Sequence, residues 1–252
     1  ILEAAKSRFA AHRLSEALDV LQSDENFPTL FLRHDLKISL NRALPLAEIE
    51  HECGIPATYM VRVDSPLYSL TERHARVHLL ELIQMGHEVG LHFDLISAEQ
   101  QSPSFLKITA ARLHTACERL EQLICRPVRT ISFQRSIPLL FNGPLSFEGR
   151  LNADSRELRG WCISDAEGEW SNGEPIASIT RLQSPILQLL LHPIWWGKTH
   201  LPAPQRLQEF FDLVTGEKHP RDAGIFDINL ARTLPAVRRQ GICSIRSRGV
   251  KA

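Results

Sequence analysis

Short apolar runs alternate with longer stretches of helical periodicity along this chain, and the runs end in polar residues. TLFLRHD (29–35), IPATYMVRV (55–63), HEVGLHFD (87–94), VRTISF (128–133) and PILQLLLHP (185–193) read as strands. Between them, residues 39–53, 71–85 and 103–124 read as helices, with Ser39 as N-cap of the first and Gly54 and Gly86 closing two of them. Pro45 is expected to kink the first of these or shift its start. Strand–helix alternation of this kind folds as a mainly parallel sheet, open or closed into a barrel, with its site at the C-terminal ends of the strands.

The rest of the pattern is looser. Residues 2–22 place Leu2, Ala5, Phe9, Leu14, Leu18 and Leu21 at helical spacing, so an N-terminal helix is expected over 1–25. Residues 142–160, rich in Gly, Asn, Ser and charge, read as a long excursion from the fold. GWCISDAEG (160–168) reads as a short strand and turn, SITRL (178–182) as a strand, and 202–216 and 227–239 as helices. One domain over residues 1–252 accommodates all of this.

With 29 basic and 29 acidic residues the formal charge is zero, which gives no footprint for nucleic acid or an acidic membrane. No apolar run approaches the ~18 residues of a membrane span, and the N-terminal stretch does not read as a signal. A cytoplasmic location is the default expectation. Five cysteines at spacings matching no zinc knuckle read as small buried thiols.

Side chains alternate along a strand, so Asp35 and Lys37 share one face and His34 and Leu36 the other. In the third strand Glu88, Gly90, His92 and Asp94 share a face, where His92 and Asp94 are candidate metal ligands. Gly90 leaves room there for a close neighbour. Gln134 and Arg135 follow the fourth strand, and Asp165 lies either in the site or in an Asp–Gly turn. His192, ahead of Trp195 and Trp196, suits a general acid in an apolar pocket, and tryptophans suit the CH faces of sugars.

In order, RHD, RALPLAEIEHECGIPATYMV, GHEVGLHFD, ISFQR, ISDAEGEW and LLLHPIWW resemble the polysaccharide deacetylase-like proteins of the NodB-homology superfamily, over about residues 29–197. The similarity is to the subgroup whose first motif reads R-H-D-V-D. It implies a distorted (β/α) barrel and a divalent-metal (zinc) hydrolase that removes acyl groups from amino sugars or related amides. A carbohydrate or other small molecule is then the expected partner. By position it implies Asp35 as general base, His92 as metal ligand, His192 as proton donor to the leaving group and Arg135 as the residue orienting the base. Asp165, Trp195, Trp196 and Gln134 would contact substrate.

The chain departs from that pattern at the metal. Lys37 stands where the subgroup has its second aspartate, Ile96 where a second histidine follows His92 by four, and Gln134-Arg135-Ser136 where the third motif often has His-Arg-Pro. An ammonium and a divalent ion ~4 Å apart repel by roughly 8 kcal/mol at an effective dielectric of ~20. The alternative expectation is therefore a metal-free, catalytically altered or inactive relative that binds a carbohydrate or a partner protein. Metal-free acid–base chemistry by Asp35, Lys37 and His192 is a third.

Overall fold

The computed structural model describes residues 1–23, 27–95, 104–134, 140, 143–159 and 161–215. Its strands are β1 (Ala10–His12), β2 (Thr29–Leu36), β3 (Thr58–Val61), β4 (Glu88–Phe93), β5 (Thr130–Phe133), β6 (Ser146–Phe147), β7 (Arg150–Asn152), β8 (Cys162–Ser164) and β9 (Ile186–Leu191). The helices are α1 (Leu2–Lys6), α2 (Ala17–Gln22), α3 (Leu44–Glu52), α4 (Arg73–Gln84), α5 (Phe105–Ile124), α6 (Arg156–Arg159), α7 (Pro175–Arg181) and α8 (Ala203–Thr215). The sheet runs β6-β7-β5-β4-β3-β2-β9-β8, with β1 beside the start of β2. Every pairing is parallel except β6 with β7.

The sheet curls. Four strand spacings separate β2 from β7, or about 19 Å if the sheet were flat, farther than an arginine can stretch. Yet Arg33 of β2 bonds Asp154, just past β7, at 2.8 Å, and Gln188 of β9 bonds the Ala153 carbonyl at 3.1 Å. Inward-facing side chains of opposite walls therefore meet, as in the distorted (β/α) barrel expected from sequence. Alternation sorts the two faces. Leu30, Leu32, Tyr59, Leu91, Ile131, Leu189 and Leu191 point outward into the main apolar core with helix residues such as Leu79, Leu113 and Leu120. Phe31 points inward and packs with Leu14, Ala17, Leu151 and Ala153, plugging the barrel's floor. Glu88 closes that floor, accepting from Ser15 N at 2.9 Å, Thr58 Oγ1 at 2.9 Å and Thr130 Oγ1 at 2.6 Å.

Several expectations need correction. Residues 2–22 form no single helix: β1 and a 3₁₀ turn at Leu14–Glu16 separate α1 from α2, because pairing with Thr29–Phe31 overrides the local periodicity. The helix expected from Ser39 begins at Leu44, since Pro45 occupies its first turn. SITRL belongs to α7, which starts at Pro175 where the Glu174 carboxylate accepts from Ile176 N and Ala177 N. Residues 143–159 are no excursion; they hold β6, β7 and α6, and bury Asn152, Asp154 and Ser155. Cys125 is exposed, unlike the buried Cys117. The helix expected over 227–239, together with Ile96, Arg135, Ser136 and Cys243, lies outside the described residues. Among those described, no helix is long and apolar enough to cross a membrane.

Candidate functional site

The C-terminal ends of β2, β4, β5, β8 and β9 converge on one polar cluster. Asp35 is buried and faces inward, as strand alternation requires. Arg33, two residues earlier on the same face, grips it with both arms of its guanidinium, Nε to Oδ1 at 2.8 Å and Nη2 to Oδ2 at 3.1 Å. Lys37 joins them: the chain turns sharply after β2, with Lys37 N bonded to the Asp35 carbonyl at 3.0 Å, and Nζ stands 3.7 Å from Oδ2. Burial alone would raise the Asp35 pKa, but Arg33, His92 and Lys37 outweigh it and hold the carboxyl well below its usual range. His34, on the opposite face, bonds Glu50 of α3 at 2.7 Å and plays no part here.

His92 sits behind Asp35, its Nδ1 3.8 Å from Oδ2. Both ring nitrogens are engaged, Nδ1 with Ser132 Oγ and Nε2 with Gln134 Oε1, each at 2.7 Å. The amide oxygen can only accept, so Nε2 carries the proton and Nδ1 accepts from the serine hydroxyl. Burial pushes the His92 pKa down to about 4, so the ring is neutral at pH 7. Gly90 is required by close packing: a Cβ there would lie 2.8 Å from Met60 Sδ and 2.9 Å from the Thr130 carbonyl oxygen.

His192 lies at the end of β9. Asp165 Oδ1 accepts from its backbone N at 2.9 Å and bonds its Nδ1 at 2.8 Å, while Oδ2 accepts from Trp196 Nε1 at 2.7 Å. Asp165 orients the imidazole, and this fixes the proton on Nδ1. Trp196 is turned to Asp165 and stacks edge-on with Trp170. Trp195 lines a cavity of about 270 Å³ together with Asp35, Lys37, Ser39, Glu167 and His192.

The residues present do not fit a divalent metal. Asp94, paired with His92 as a candidate ligand, has its Oδ2 2.8 Å from Arg62 Nη2. The donors of His92 and Asp35 are committed to the partners described above, and the Lys37 ammonium occupies the adjacent space. Among the described residues, no group of three or more His, Cys, Asp or Glu side chains could hold a metal ion.

Arg33, Ser132 and Asp154 escaped the sequence reading. Arg33 was legible, being two residues from Asp35 on the same strand face. Asp154 accepts from Arg33 and from Phe133 N at 2.7 Å, and its flanking composition gave no hint of burial.

No family model and no curated protein matches the chain. Solved structures do. A family 4 carbohydrate esterase from Bacillus anthracis is 17% identical over 76% of this chain and 78% of its own, with a TM-score of 0.42. A peptidoglycan deacetylase from Bacillus subtilis is 12% identical over 88% and 96%, also at 0.42. A CE4 family pseudoenzyme from Bacillus anthracis is 12% identical over 85% of this chain but 62% of its own, at 0.42. This chain thus spans under two thirds of that pseudoenzyme's length.

Proposed function

We propose that this chain is a deacetylase-like barrel that works without a metal and binds an acylated sugar or related amide in the cavity between Asp35, Lys37 and His192. One observation carries the reading: the Lys37 ammonium stands beside the Asp35 carboxylate, inside the cavity, where the resembled subgroup has a second acid. Lys37 and Ser39 offer donors to an acyl or hydroxyl oxygen, Trp195 offers an apolar face to a ring, and His192 offers Nε2 as acceptor. Asp35 makes a weak general base, because a carboxyl held this far below its usual pKa has little drive to take a proton from water.

A second reading, retained hydrolysis of an amide, is favoured by the oriented His192–Asp165 pair, an arrangement suited to proton transfer. One experiment separates the two. Protein purified without chelator is assayed for zinc and then titrated calorimetrically with an N-acetylated amino-sugar oligomer while acetate release is followed. The expected result is substoichiometric zinc and binding without acetate. Stoichiometric zinc that disappears in His92→Ala, or steady acetate release that a chelator abolishes, overturns the metal-free reading. Lys37→Asp, which exchanges the ammonium for a carboxylate, is expected to raise zinc affinity at least roughly tenfold.

A further inference from the structure

A second cavity lies along the edge strand β8. β8 ends the described sheet path on one side, pairing there with β9 alone, while β6 and β7 end it on the other. Beside the β8 edge, residues of β8, the end of α6 and the α7 region line a cavity of about 530 Å³, within the roughly 300–1,000 Å³ usual for small-molecule sites. It shares no lining residue with the Asp35–His192 cavity. Arg159, at the end of α6, lines one side; Arg181, Asn172 and Gln183, on and around α7, line the other; Trp161 and Cys162 of the β8 edge lie between.

The lining has a definite chemistry. Among the described residues it carries two arginines and no acidic residue, in a chain whose charges balance overall. Trp161 is 48% exposed and lines this cavity, so its indole can offer an apolar face to a ligand. The Cys162 thiol, pushed up to about 11 by burial, stays protonated and adds no charge. The rim is fixed before any ligand arrives. Arg8 of the N-terminal segment donates to the Ile179 carbonyl at 2.6 Å, to Leu182 at 2.9 Å and to Thr180, pinning the end of α7 beside Arg181. Gln188 N bonds the Trp161 carbonyl at 3.0 Å, which anchors the indole's backbone. A preorganised rim lowers the ordering cost of binding.

A bare anion would use the guanidinium groups but neither the indole nor the amides. A neutral sugar would use the indole and amides but leave the positive charge unanswered. A pyranose carrying a carboxylate uses all of them: its CH face on the indole, its hydroxyls on Asn172 and Gln183, its carboxylate on the planar fork of an arginine. Arg159 already shares one amine with Asp154 at 3.5 Å, which leaves Arg181 the larger part. We propose that this cavity at the β8 edge binds a hexuronate unit through Trp161 and Arg181, independently of the Asp35–His192 cavity.

Calorimetric titration of the full chain with a hexuronate trisaccharide, and in parallel with a neutral hexose trisaccharide and with inorganic sulfate, tests this. The hexuronate is expected to bind, with both controls weaker by roughly tenfold or more. Trp161→Ala and Arg181→Ala, both at exposed positions and checked for a parent-like circular dichroism spectrum, should each lower hexuronate affinity by a similar factor, and Lys37→Met should leave it unchanged. No binding at millimolar hexuronate, unchanged affinity in Trp161→Ala, or equal affinity for the neutral sugar overturns the proposal. Loss of binding in Lys37→Met also overturns it, by assigning the sugar to the other cavity.

Discussion

Replacing Arg33 by methionine removes the guanidinium that bonds two buried carboxylates at once. Arg33 is 2% exposed and bonds Asp35 through two nitrogens, Asp154 at 2.8 Å and Gln188 at 3.2 Å. Methionine fills most of the volume and satisfies none of these groups. Breaking a buried ion pair from one side costs about 3–5 kcal/mol. In a protein of this size that lowers Tm by roughly 6–20 °C. The cost depends on pH, with a definite sign. In the parent, the folded pKa of Asp35 is depressed, so its contribution is present above the unfolded value and is lost as pH falls through it. In the variant, burial without Arg33 raises the Asp35 pKa, and acidification relieves part of the penalty by neutralising that carboxyl. Urea unfolding followed by circular dichroism at pH 7.5 and pH 5 should therefore show a large gap between parent and variant that narrows at the lower pH. Adding Asp35→Asn should recover part of the loss at pH 7.5. A penalty under about 1 kcal/mol, typical of a surface pair, or one that does not change with pH, refutes the view that Arg33 is the barrel's internal counter-ion.

Three further outcomes are expected. The His92 ring should titrate near pH 4 by NMR; because its folded pKa lies below the unfolded ~6.5, stability should fall as pH drops from there toward 4, a slope missing in His92→Gln. Gly90→Ala should cost about 1–3 kcal/mol in urea, partly recovered by Met60→Ala, since the Thr130 carbonyl remains in the way. Asp165→Ala should cost about 2–4 kcal/mol by leaving the backbone N of His192, its ring and the Trp196 indole without their acceptor, and nitrogen NMR should show His192 losing its fixed tautomer.

The strands that carry the site could be read from the sequence because each is an apolar run with a polar end, as in TLFLRHD and LLLHP, and period-two alternation then fixes which residues face inward. That reasoning put Lys37 beside Asp35 and His34 away from it, as the structure has them. It stopped where burial depends on distant partners. Asn152 and Asp154 sit in a stretch whose composition reads as loop, yet they are buried because Leu140, Pro144 and Arg33 complete their hydrogen bonds. No local pattern shows that Arg62 takes Asp94, or that Ser132 and Gln134 take both nitrogens of His92. Ala10–His12 extends as a strand only because β2 lies alongside, which overrode a plausible helical periodicity.

The bond between Arg33 and Asp154 spans 121 residues of sequence. At synthesis speeds of about 5–20 residues per second, Arg33 leaves the ribosome roughly 6–24 s before its distant partner exists. During that interval Arg33 has Asp35 as its carboxylate partner and lacks Asp154, which its Nη1 bonds at 2.8 Å in the folded chain. The inner face of the barrel is thus finished by a late-made residue, since the hydrogen bonding of Arg33 on β2 is complete only once Asp154 has been added.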